Sequence, residues 1–180
     1  MNKAHDIRVK KEAFSIGDSW VVYVDDEQIA EIKGEVFPVL GDTYSMYSNA
    51  GNLVGAETED FLTLTHGSKT YDYMGEQRGY IKQKALTFGY DFDIYEKFEN
   101  VGNVRQKFSL GLQADIKDSD GKVEYNVDKE FFSFGSDITI SKVSTEKETS
   151  VDAIDAVWAT VMMNEIDEAQ NSDSGNNNNK

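Results

Sequence analysis

Short apolar stretches recur along the chain, and each one ends in glycine. They are residues 13–17, 36–41, 61–67, 86–89, 108–111 and 131–135, closed by Gly17, Gly41, Gly67, Gly89, Gly111 and Gly135 at spacings of 24, 26, 22, 22 and 24 residues. Self-similarity at a near-constant period marks a repeated structural unit. Turn formers stand near the middle of the intervals: Asp25-Asp26-Glu27, Asn49-Ala50-Gly51-Asn52, Gly75-Glu76, Asn100-Val101-Gly102-Asn103 and Asp120-Gly121. Asn, Asp and Gly accept the left-handed backbone that tight hairpins require. Each interval therefore predicts a strand, a hairpin turn, a second strand and a bend at the next glycine, about six times over.

The flanks alternate apolar and polar residues, as strands with one buried face do. Tyr44 and Met46 share one face, as do Tyr71 and Tyr73, Phe92 and Ile94, Ala114 and Ile116, Val123, Tyr125 and Val127, and Ile138 and Ile140. The second strands repeat in detail. Ile32-Lys33-Gly34-Glu35, Ile81-Lys82-Gln83-Lys84, Val104-Arg105-Gln106-Lys107 and Val127-Asp128-Lys129-Glu130 each set one apolar residue before a polar, charged run. Outward charges of this kind protect sheet edges from association.

After Lys142 the period changes. Thr145–Ser150 is polar, and Val151, Ile154, Val157, Trp158, Val161, Met162 and Ile166 then follow helical spacing. The pattern predicts a helix over 151–169, capped by Thr149 or Ser150, with Asp152 and Asp155 at the positive end of its dipole. Only Thr160 is polar between Ala156 and Met163, and a helix apolar nearly all round is a buried one. A membrane span needs roughly 20 apolar residues, and acidic residues flank this short stretch, so an integral membrane role is not expected. Burial of six of these side chains at about 1.5–3 kcal/mol each contributes on the order of 10 kcal/mol, an upper bound comparable with the whole stability of a domain. Residues 1–169 thus form one expected domain. The stretch 170–180, with its run of Asn, reads as a disordered tail.

Composition narrows the chemistry. Ten Phe, nine Tyr and two Trp against a single Pro favour sheet. The absence of cysteine excludes disulfides, thiolate metal sites and thiol catalysis. The polar start carries no apolar leader, so a cytoplasmic location is the default expectation. A net charge of −15 argues against nucleic acid and is read as a solubility feature.

No constellation rises to a catalytic, metal or cofactor site. Asp118-Ser119-Asp120-Gly121 resembles part of a calcium loop, but an EF-hand needs an acidic first position and a Glu at the twelfth, where Ile116 and Val127 stand. It is read as a turn. His5 and His66 are the only histidines; neither spacing suggests a triad or a metal site, and His66 is read as a surface or bend residue. Asp25/Asp26 and Asp91/Asp93 are carboxylate pairs of the kind acid–base catalysis uses, yet with 33 acidic residues solvated faces account for them. Tyr47, Tyr71, Tyr73, Tyr90 and Tyr95 are assigned to packing rather than to stacking on sugars.

The residues Phe14-Ser15-Ile16-Gly17-Asp18-Ser19-Trp20 with Val22-Tyr23, Ile32-Lys33-Gly34 with Val36-Phe37, Gly41-Asp42-Thr43-Tyr44, Ile81-Lys82-Gln83-Lys84 and the helix around Trp158 resemble the LURP-one-related family, in the tubby-like and phospholipid-scramblase-like group. The likeness spans roughly residues 6–169. It implies a mainly β fold, a closed antiparallel barrel of about twelve strands around a central C-terminal helix, which agrees with six hairpins plus one helix. Function does not follow from the fold; with six glycine-spaced units, a buried helix and no catalytic constellation, the expectation is a non-enzymatic intracellular binding or scaffold protein of this type without a cofactor, its partner an unspecified protein or small ligand. Two alternatives stand beside this: a peripheral lipid-binding module, by analogy with the group alone, and a carboxylate-dependent hydrolase. Tyr71-Asp72-Tyr73-Met74-Gly75 also resembles wall-binding hairpin repeats, which would form an open solenoid.

Overall fold

The structure, a computed structural model, describes residues 6–12, 18–37, 41–60, 66–84, 91–107, 112–129, 137–144 and 148–175. Twelve strands appear in chain order: β1 (Asp6–Lys11), β2 (Ser19–Val24), β3 (Glu27–Phe37), β4 (Gly41–Ser48), β5 (Leu53–Glu59), β6 (Gly67–Asp72), β7 (Gln77–Gln83), β8 (Asp91–Glu96), β9 (Glu99–Gln106), β10 (Gln113–Asp118), β11 (Val123–Lys129) and β12 (Asp137–Lys142). One helix follows, α1 (Ala153–Gly175). Every strand pairs antiparallel with its neighbours in sequence, and β1 pairs with β12 through Ile7↔Ile140 and Val9↔Ile138. The barrel is therefore closed and leaves no free edge. This is the fold expected above, and it rules out an open solenoid.

Five hairpins carry the same irregularity. The register shifts at Val22/Tyr23, Met46/Tyr47, Thr70/Tyr71, Ile94/Tyr95 and Ile116/Lys117, each time just before the turn. A bulge increases local twist, and its repetition around the wall gives the sheet the curvature that closure demands. The bulge carbonyls press on inward positions of the preceding hairpin. A side chain at Gly79 would lie 2.2 Å from the Tyr95 carbonyl oxygen, and one at Gly102 would lie 2.2 Å from that of Lys117. Glycine is the residue these approaches admit.

The turns follow the sequence with one correction. Asp25 and Asp26 adopt positive φ, as do Gly51, Gly75 and Gly121. The fourth turn, however, is Lys97-Phe98, with φ of 44° and 77°, and Asn100–Asn103 lie within β9. Gly102 is there for the close approach, not for a turn. The expected shared face of Tyr71 and Tyr73 is also corrected. Ser68 and Thr70 are the inward residues of β6, while Tyr73 is exposed in the turn. Val123 is only half-buried beside the bulge, whereas Tyr125 and Val127 are buried. Ile32, Ile81, Val104 and Val127, the apolar residues of the repeated second strands, are buried as expected. The apolar stretches at 13–17, 38–40, 61–65, 86–89, 108–111 and 131–135 lie outside the described residues.

Helix α1 is buried without interruption from Asp155 to Asn164. A helix resting on one face of a sheet keeps a solvated side, so this helix is enclosed by the barrel. Trp158 and Met163 are fully shielded, and they join Val9, Trp20, Phe92, Ile116 and Ile138 in one core. The helix begins at Ala153 rather than 151. Its cap is Asp152, whose Oδ1 accepts from the Ile154 N–H at 2.6 Å, in place of Thr149 or Ser150. Thr149 instead bonds the Tyr125 hydroxyl at 2.9 Å. Upstream, the buried Glu124 carboxylate accepts from the N–H groups of Ser150 and Val151 at 2.7 and 2.8 Å, fixing the approach to the helix. The helical backbone continues to Gly175, past the expected end at Ala169.

Candidate functional site

Two ends of the barrel differ in chemistry. The hairpin end receives the start of α1 and is closed by ion pairs: Arg78 Nη2 lies 2.8 Å from Asp152 and 3.4 Å from Asp155. Burial raises the Asp155 pKa above the ordinary carboxylate value, Arg78 lowers it, and the neighbouring Asp152 and Glu96 raise it.

The opposite end receives the C-terminal part of α1. There the Lys11 ammonium lies 2.9 Å from Asp18, 3.0 Å from Glu165 and 2.7 Å from Glu168, over the Trp20 ring. Burial alone lowers the Lys11 pKa, but hydrogen bonds to Glu168, Asp18 and Glu165 raise it above its usual value. Lys129 holds Asp167 at 3.1 Å. These contacts anchor the helix end to β1 and β11, which flank β12 in the wall.

Between β4, β5, β6 and this end of the helix lies a half-enclosed cavity of about 150 Å³. Met162 and Ile166 from α1, with Tyr44 from β4 and Gly67 from β6, line it, together with Asp42, Glu57, Glu59, Ser68, His66 and Glu165. It exists because β5 and β6 break the apolar rule of the wall. Their inward positions include Glu57, Ser68 and Thr70, all buried, where the matching positions of other strands hold Ile, Val, Met, Ala or an aromatic residue.

Glu57 is the central group. It is 2% exposed, Ser68 Oγ sits against its Oε1, and its Oε2 has no partner among the described residues. Burial raises its pKa to about 8, opposed by the Ser68 hydrogen bond and reinforced by the negative charges of Glu59, Glu165 and Asp155. At neutral pH it is therefore mostly an uncharged acid. Ser68 Oγ, which donates to Glu57 Oε1, also lies 3.2 Å from Met162 Sδ. The Tyr44 hydroxyl is held neutral, its pKa raised by burial and by Glu165, Asp18, Asp42 and Glu57. Burial raises the Glu165 pKa as well, opposed by the Lys11 hydrogen bond.

The residues weighed from sequence fall mostly elsewhere. Asp91 and Asp93 both bind Lys84, at 3.2 and 3.0 Å. Asp118 Oδ1 accepts from the backbone N–H groups of Asp120 and Lys122, which forms the expected turn. His66 alone comes to the site, half-exposed at the cavity rim with Nδ1 3.6 Å from Glu59. His5 and Tyr90 lie outside the described residues. Glu57 and Ser68 were not singled out from sequence, and Met162 only as a buried residue of the helix. The signal for them was the polar pair Ser68/Thr70 and the pair Gly55/Glu57 at alternate positions of strands that otherwise fit the repeat.

The molecule is thus a closed twelve-stranded antiparallel barrel with an enclosed C-terminal helix and a small acid-lined cavity at one mouth. No family model matches the chain, and comparisons with curated proteins and with solved structures find no significant match. Among the described residues, no helix is long and apolar enough to cross a membrane.

Proposed function

We propose that this chain is a non-enzymatic, intracellular binding barrel of the LURP-one-related type, and that its cavity receives a small ligand group. The observation that carries the reading is the free Oε2 of Glu57. A buried carboxyl with one unsatisfied oxygen costs stability, and this barrel, whose core is mainly apolar, retains it at the wall of a cavity. Pockets with apolar walls and a few convergent polar groups are the usual form of ligand sites. The arrangement of strands and terminal helix supports the family reading. The polar pair Glu57–Ser68 lacks the histidine that would make the serine a nucleophile, since His66 turns to Glu59.

The test is an NMR titration of the whole protein with a set of six-atom alcohols, amines and amides. Shifts concentrated at Ser68, Met162 and Ile166 support the reading. Shifts absent from these residues throughout the set sink it. Turnover of ester or glycoside substrates that disappears in Glu57→Gln would overturn the non-enzymatic part.

A further inference from the structure

We propose that the cavity selects a small primary ammonium ligand, with Glu57 Oε2 and neighbouring carboxylates at its charged end and Met162, Ile166 and the Tyr44 ring along its alkyl chain. This rests on the reading of the cavity as a ligand site and names the ligand class.

The charge pattern points to a cation. Asp42, Glu57, Glu59 and Glu165 line the cavity, and among the described residues neither Lys nor Arg does. Lys11 touches Glu165 from outside the cavity lining and is itself shared with Asp18 and Glu168. His66 stands at the rim with Nδ1 3.6 Å from Glu59. The second, independent observation is Glu57 itself, nearly fully buried, with Oε1 against Ser68 and Oε2 unpartnered. An ammonium supplies the donors that this oxygen lacks and the charge that lets it ionise.

Size sets the class. A cavity of about 150 Å³ is one that accepts a benzene-sized guest of about six heavy atoms. n-Pentylammonium fits that volume, with its nitrogen at Glu57 and its methylenes on the sulfur and methyl groups of Met162 and Ile166.

The inference has a thermodynamic signature. Glu57 is protonated in the empty site at pH 7, its pKa lifted to about 8. Pairing with an ammonium requires the carboxylate, so the acid proton leaves to solvent: Glu57–COOH plus R–NH3+ gives the Glu57–COO−/R–NH3+ pair plus H+. Binding therefore releases about one proton at pH 7 and strengthens about tenfold per pH unit below the Glu57 pKa, levelling above it. The groups facing Glu57 are Asp42 and Tyr44 from β4, Glu59 from β5, His66 and Ser68 from β6, and Asp155 and Glu165 from α1. Of these, His66 stands at the rim beside Glu59, so its part in the pH dependence is separated by substitution.

The experiment is isothermal titration calorimetry of the full protein with n-pentylammonium chloride and with 1-pentanol, at pH 6, 7 and 8, in two buffers of different ionisation enthalpy. The amine is expected to bind more tightly than the alcohol, with release of about one proton at pH 7; the alcohol should release none. His66→Gln should keep the pH dependence. Glu57→Gln should bind the alcohol and lose both the proton release and the amine preference. Alcohol binding equal to or tighter than amine binding, or amine binding without proton release, overturns the ammonium assignment and leaves the cavity a ligand site. Failure of both probes overturns the cavity reading and the assignment with it. The proton count on the unmodified protein decides the matter even if a variant fails to fold.

Discussion

Arg78 on β7 and Asp152, the cap of α1, meet at 2.8 Å although 74 residues separate them. The contact fastens the start of the enclosed helix to the barrel wall, and the same guanidinium reaches Asp155, whose side chain is 4% exposed. Asp155 pays for its burial with a raised pKa, which Arg78 pulls down. A carboxyl whose folded pKa is raised loses stability as pH climbs above its unfolded value. Replacing Arg78 with Met removes the opposing charge and enlarges that loss. Arg78→Met is expected to cost about 1–3 kcal/mol at pH 8 and clearly less at pH 5, where Asp155 accepts a proton. Urea unfolding at the two pH values measures this; an equal cost at both would refute the role given to Asp155.

The repeated bulges make a steric prediction. A Cβ at Gly102 would meet the Lys117 carbonyl oxygen at 2.2 Å and Val151 Cγ2 at 2.5 Å. The oxygen belongs to the backbone of the neighbouring hairpin and cannot turn aside. Gly102→Ala is expected to cost about 3 kcal/mol, the upper range for overpacking. Gly121 is the contrasting position, with φ of +84° and open space around it, where only backbone strain of about 1–2 kcal/mol arises. Thermal melts of both variants should rank Gly102→Ala as the more damaging.

Much of this fold is written in local patterns. Hairpins at Asp25-Asp26, Gly51, Gly75 and Gly121 follow from residues that tolerate positive φ, and the run from Ala156 to Met163, polar only at Thr160, announced an enclosed helix. What misled was Gly102. Flanked by Asn100 and Asn103, it carries the signature of a turn, while the true turn, Lys97-Phe98, uses residues with no left-handed preference. Register with β8 and the press of Lys117 decide the matter, and both are tertiary. Tyr23, Tyr47, Tyr71 and Tyr95 stand at equal spacings of 24 residues, each beside a bulge. That signal lay in the chain, but its meaning appears only once the register shifts are known. The site was less legible still. An inward Glu57 looks like any other acidic residue among 33, because burial, not identity, gives it its chemistry.

The enclosed helix sets a test of the architecture. Trp20 and Trp158 are both fully shielded, so neither indole should be quenched readily by acrylamide or iodide in the native state, and both should become accessible together on unfolding. A chain ending at Thr149 lacks the rod that fills the barrel and is expected to give no cooperative melt. Ready quenching of native fluorescence, or a sharp transition from the shortened chain, would contradict the enclosed helix.

Glu57 links the cavity to stability. Its unfolded carboxyl titrates near 4.5 and its folded one near 8. Below pH 4.5 both states hold the proton and the group is neutral in the balance. Between pH 4.5 and 8 the unfolded chain gives up the proton while the folded one keeps it, so each unit of pH costs about 1.4 kcal/mol. The penalty accumulates to the order of 4 kcal/mol by pH 8 and then levels off. Glu57→Gln keeps the shape and removes the proton. Asp155 and Glu165, whose pKa values are also raised by burial, add slopes of the same sign to both proteins, so the difference between the two stability curves isolates Glu57. The variant is expected to match the parent near pH 5 and to exceed it increasingly toward pH 8, in urea unfolding followed by tryptophan fluorescence. A difference curve that is flat, or that falls with pH, would mean that Glu57 is already ionised in the fold, and its charge would then have to be held by more than the Ser68 hydroxyl.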